Sequence, residues 1–101
     1  MTMKILALEK EYEGKTPEEF QKYSEEEALH VWELYKSDKI REIYFRGDQN
    51  SAIIILECEN VEEAKTILAN LPLVKNKLIY FDIIPLKPYP GFERLFNEDN
   101  S

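Results

Sequence analysis

The rhythm of apolar and polar residues changes repeatedly along the chain, and each change marks an element. Lys4–Glu9 (KILALE) reads as a short strand bounded by charge, and Tyr12-Glu13-Gly14-Lys15 as a turn. Thr16-Pro17-Glu18-Glu19 starts a helix: Thr16 can cap, Pro17 suits the first helical position, and Glu19 closes a capping box. That helix is predicted to run to about Lys36, with Phe20, Tyr23, Ala28, Val31, Leu34 and Tyr35 as its apolar positions, and Ser37-Asp38-Lys39 ends it. Ile40–Arg46 then alternates as a strand, with Arg41, Ile43 and Phe45 on one face and Ile40, Glu42, Tyr44 and Arg46 on the other. Gly47-Asp48-Gln49-Asn50 is hairpin-turn chemistry, and Ser51–Cys58 returns as a strand with the β-branched run Ile53-Ile54-Ile55. Asn60 caps a second helix, with Glu63 placed to reach back and Val61, Ala64, Ile67 and Leu68 as its stripe. Leu71-Pro72-Leu73 stops it after about Asn70. Leu78–Ile84 is the last strand, and Pro85, Pro88, Pro90 and Gly91 make the tail extended and non-sheet.

The order β-α-β-β-α-β predicts an α+β domain with an antiparallel sheet, of the ferredoxin-like type. At 101 residues the chain is one domain. Its core spans about 3–86, and the tail, 87–101, carries too many apolar residues to hang free. Pro85–Phe96 is therefore expected to dock on the fold or on a neighbouring subunit, with only Asn97–Ser101 loose.

Two helices can cover one face of a four-stranded sheet. Yet Ile53 and Ile55 point one way from the third strand while Ala52, Ile54 and Leu56 point the other. The fourth strand likewise sends Ile79, Phe81 and Ile83 one way and Leu78, Tyr80 and Ile84 the other. Leaving the second face wet would exceed the ~300–600 Å² of a monomer's usual largest apolar patch. A homodimer with sheets packed face to face, a dimeric α+β barrel, removes that exposure. A charge at Ile54 or Leu56 would then split or unfold the assembly, depending on which face meets the partner.

Composition narrows the function. The net charge of −7 argues against nucleic acid as a partner. With one Cys and one His, the chain has no disulfide framework and no metal-ligand spacing, and its three glycines form no phosphate loop. No metal and no organic cofactor are expected. The longest apolar run, Ala52–Leu56, falls far short of the ~20 residues of a membrane helix, and Met1-Thr2-Met3-Lys4 lacks signal-peptide features. The expected setting is cytoplasmic, away from membranes.

The most chemically loaded stretch is Glu25-Glu26-Glu27-Ala28-Leu29-His30. Glu27 and His30, three apart, share a helix face, and a carboxylate-oriented His is a common acid–base unit; Glu26 competes for the same His at four apart. The same residues also fit a plain solvated face. Arg41 on a largely apolar strand needs a partner, either Glu27, Glu57 or Asp82 in a salt bridge or an anionic ligand. Tyr44 and Tyr80 offer hydrogen bonds to a ligand or simple packing. Trp32 reads as core or oligomer interface, and Cys58 as a buried structural thiol.

Three segments together resemble the muconolactone isomerase family of the dimeric α+β barrel superfamily. They are the acidic helix Ser24–Tyr35 running into Ile40-Arg41, the run Ala69-Asn70-Leu71-Pro72-Leu73, and Phe81-Asp82-Ile83-Ile84-Pro85-Leu86 followed by Pro90. The resemblance implies a cofactor-free enzyme that shifts a double bond in a small unsaturated acid or lactone by moving a proton, within a homodimer or larger homo-oligomer. It also implies Glu27 as the base and Arg41 as the clamp for an acidic ligand; the residues themselves add His30 as an auxiliary acid and Tyr44 as a hydrogen-bond donor. Where the family carries aromatic and histidine residues, this chain has Glu42, Arg46 and Gln49. Two other readings of the same fold stand beside it: a cofactor-independent monooxygenase, and a non-catalytic oligomerising or regulatory module.

Overall fold

Thr16 caps the first helix as its sequence dictates. Its hydroxyl accepts from the Glu19 amide, and the Glu19 carboxylate takes the Thr16 amide at 2.8 Å. The computed structural model describes residues 1–96 and gives the order β1 (Met3–Glu11), α1 (Pro17–Lys36), β2 (Ile40–Phe45), β3 (Ala52–Cys58), α2 (Val61–Ala69), α3 (Pro72–Lys75) and β4 (Ile79–Pro85). Asp38 ends α1 by taking a left-handed conformation (φ 66°), so that the Lys39 amide turns back to the Leu34 carbonyl at 3.0 Å. Asn60 starts α2, its side chain accepting from the Glu63 amide at 2.8 Å. Glu63 reaches back to the Glu59 amide and also binds Lys39 at 3.0 Å. The Leu-Pro-Leu stop is itself a short helix, α3, which the sequence pattern had not indicated.

The sheet runs β2-β3-β1-β4 with every neighbouring pair antiparallel, which is the ferredoxin-like topology. The helix-facing side carries Ile5 and Ala7 of β1, Ile54 and Leu56 of β3 and Ile79 of β4, all nearly or fully buried. Ile54 and Leu56 therefore sit in the core, and the face open for a partner carries Ile53 and Ile55 instead. Leu6 and Leu8 of β1 complete the half-buried centre of that open face.

On β2 the expected alternation is corrected. A bulge between Ile40 and Glu42 lets Ile40 stay buried opposite Leu56 while Ile43 and Phe45 also align with the helix-facing Ile54 and Ala52. Arg41 is the extra residue at that bulge and does not share a face with Ile43 and Phe45.

The tail also departs from expectation. Pro90–Leu95 forms a 3₁₀ turn rather than an extended run. Tyr89, Phe92, Leu95 and Phe96 stay 64–77% exposed, so this arm does not dock on its own fold. It draws the molecule out to 63 × 29 × 20 Å, with a radius of gyration of 17.0 Å against about 13 Å for a compact chain of this length. Asn97–Ser101 lie outside the described residues.

Candidate functional site

Helix α1 presents Phe20, Tyr23, Glu27, Val31 and Leu34 inward, a stripe at helical spacing with a carboxylate at its centre. An ionisable group cannot be sealed against Ile and Leu without large cost, and α1 seals none of its residues completely. Between it and the sheet lies a cavity of about 650 Å³, within the usual range for small-molecule sites. Its walls are largely apolar: Phe20 and Val31 from α1, Phe45 from β2, Ile54 from β3, Phe81 from β4 and Leu73 from α3. Exposed Glu11, Lys15 and Asn50 ring the mouth.

Two carboxylates reach this space. Glu27 accepts from the Leu73 amide at 2.9 Å, so the Leu-Pro-Leu segment supplies the backbone donor that fixes it. Glu9, at the end of the core-facing series Ile5, Ala7, Glu9, accepts from the Ala52 amide at 2.8 Å. It takes up that amide just where the backbone pairing of β1 with β3 ends, at Leu8 opposite Ile53. Burial raises the pKa of both groups; the backbone hydrogen bonds pull partly the other way, and the charge of Glu9 adds to the rise at Glu27. Among the described residues neither has a cation within ion-pair distance. A desolvated carboxylate with a raised pKa, held by one amide beside an apolar cavity, can accept a proton from carbon or hold one for return.

The other sequence-predicted residues lie outside the cavity. His30, one helical turn from Glu27, is exposed and exerts only a weak downward pull on it. Arg41 stands 3.9 Å from Glu57, the partner among those foreseen that it meets. Arg41 and Tyr44 line a second groove of about 510 Å³ with Trp32 and Tyr35, separated from the first cavity by the shared wall of Val31 and Ile43. The Tyr44 hydroxyl donates to Glu42 at 2.7 Å, and that bond raises its pKa. Arg46 grips Asp48 through two hydrogen bonds in the hairpin turn. Tyr80 packs against Tyr12, ring centres 5.0 Å apart. Trp32 is half exposed beside Tyr35 and so is not core. Cys58 is buried, its thiol pKa raised by desolvation.

Glu9 also reaches the cavity, although no sequence motif marks it. Its signal was present in the alternation of β1, which places a carboxylate in step with Ile5 and Ala7. Among the described residues no cluster of three or more His, Cys, Asp or Glu side chains could hold a metal ion. Nor is any helix among them long and apolar enough to cross a membrane. Compared with known proteins, the chain matches no family model and no curated protein.

Proposed function

We propose that this protein binds a small unsaturated molecule in the cavity under α1 and shifts a proton within it, without cofactor, as a muconolactone isomerase-type enzyme does. The observation that carries this reading is Glu27, a desolvated carboxylate fixed by the Leu73 amide against an apolar cavity of about 650 Å³. In the reaction Glu27 takes a proton from the carbon beside a carbonyl, and the electron pair moves into the carbonyl as a dienolate. The same proton returns to the far carbon, giving the conjugated isomer with no net oxidation. Glu9 holds the opposite side of the cavity, and His30, one turn along α1 and outside the cavity, is the auxiliary acid. Arg41 and Tyr44 serve a substituent that extends over the Val31–Ile43 wall into the neighbouring groove.

The working unit is a homodimer joined through the open sheet face. Leu6, Leu8, Ile53 and Ile55 form an apolar centre, and the Lys4–Glu57 and Lys10–Asp82 pairs form a charged rim, which is the anatomy of a protein interface. A second reading, an oligomerising module without catalysis, is favoured by the exposed Trp32 and Tyr35 and the exposed aromatic arm.

The test is an isomerisation assay on a panel of unsaturated lactones, some bearing carboxylate and some bearing amine substituents. Wild type should turn over at least one of them. Glu27→Gln should lower that rate by ~10²–10⁴, the usual scale for loss of a general base. If wild type turns over none and binds none by calorimetry, the enzymatic reading falls and the module stands.

A further inference from the structure

We infer that the cavity under α1 takes a compact hydrophobic amine, whose ammonium is received by Glu9 and Glu27 while its apolar body lies against the aromatic walls. This deepens the proposed small-molecule site and rests on it.

The charges inside the cavity are of one sign. The charge of Glu9 is felt at Glu27, and each carboxylate has a single backbone donor on one oxygen, leaving the other oxygen without a hydrogen-bond partner among the described residues. Two carboxylates drawn out of water demand either protons or a cation, because an uncompensated buried charge is costly. The cations nearby do not meet that demand. Lys15 sits exposed at the mouth. Arg41 lies beyond the Val31–Ile43 wall, facing Glu57.

An entering carboxylate would therefore add a third negative charge to an apolar space, whereas an ammonium would neutralise the pair that is already there. The walls suit the same ligand. Phe20, Phe45 and Phe81 line the cavity, and aromatic rings attract organic cations that come within about 6 Å of their centres.

The experiment uses three probes of one shape and different charge: phenethylamine, phenethyl alcohol and phenylacetate. Each is titrated into the full-length protein by calorimetry, with the amide resonances of Leu73 and Ala52 followed by NMR to locate binding. Phenethylamine is expected to bind roughly tenfold or more tightly than the alcohol, consistent with a charge-assisted hydrogen bond, and phenylacetate not at all. Glu9→Gln and Glu27→Gln each retain a side-chain oxygen for the backbone amide. Each should weaken the amine about tenfold or more and the alcohol by clearly less. Either variant alone suffices if the other does not fold.

Equal binding of amine and alcohol would overturn the amine inference while keeping the cavity as a small-molecule site. Preferential binding of phenylacetate would overturn it in favour of an acidic ligand. Binding of none of the three would also overturn it, and turnover in the lactone assay would then decide separately whether the cavity is a site at all.

Discussion

Helix α2 lies on the sheet with Ala64 and Leu68 fully sealed, whereas α1, with 20 residues against 9, seals none of its own. The difference begins in the two stripes. That of α2 is short and uniformly apolar, and Ala64, with no side chain beyond Cβ, lets the helix come close. That of α1 is bulkier and holds Glu27 at its centre, so its closest approach is set by what a carboxylate tolerates. One helix is a packing element and the other is the roof of a cavity. A single residue type in a stripe can thus turn sealed core into the wall of a cavity.

The largest effect that would break this comparison is in packing. Leu68→Ala should cost about 3 kcal/mol in urea unfolding, as for other sealed leucines, while Val31→Ala, beside a cavity that already exists, should cost about 1 kcal/mol or less. Equal losses would mean that α1 packs as tightly as α2.

Next comes the open face. Ile55→Lys should convert a dimer to a folded monomer in sedimentation at micromolar concentration, whereas Ile54→Lys, on the sealed face, should unfold the chain. A wild type that sediments as a monomer at all concentrations would refute the dimer.

A smaller effect is expected with pH. Burial raises the pKa of Glu9 and Glu27 in the fold, so their contribution to stability is fully present below the ordinary carboxylate pKa and is lost as pH rises through the raised values. The stability difference between wild type and the Glu9→Gln/Glu27→Gln double variant should therefore fall with rising pH over that window and then level off. Asp48, Glu57 and Glu63 are lowered by their partners, so their contributions are lost as pH falls. They are common to both proteins and cancel in the difference. A flat difference would show that neither cavity carboxylate is desolvated.

The smallest effect belongs to the arm. Truncation before Tyr89 in the Ile55→Lys background should change unfolding stability by less than about 0.5 kcal/mol, since the arm's apolar groups are exposed in the single chain. A larger loss would reveal contacts between the arm and its own domain.

Most of the fold was legible because it rests on local rules. The Thr16–Glu19 box, the Asn60 cap, the alternation of β3 and the breaks at Ser37 and Leu71 each act within a few residues. Glu27 was legible for the same reason, as the polar member of an apolar stripe. Its partner Glu9 was not singled out: the alternation of β1 shows the side on which it points, but no local rule says that α1 will stand off above it. Arg41 was misplaced because a bulge breaks a period-two pattern at the one residue where it sits, and nothing in the sequence of β2 marks that break.

By itself the sequence determined the β-α-β-β-α-β order of the main elements, the ends of the two long helices and the two-sided apolar character of the sheet, because propensity, capping and periodicity are short-range. The tertiary structure alone decided which strand face meets the helices, where β2 bulges, that Leu73 and Ala52 lend their amides to two carboxylates, and that the aromatic arm stands away. Those outcomes depend on residues distant in the chain meeting in space, as Glu27 and Leu73, 46 positions apart, and Glu9 and Ala52, 43 apart, do. No local pattern can read a meeting whose terms are set by the packing of the whole chain.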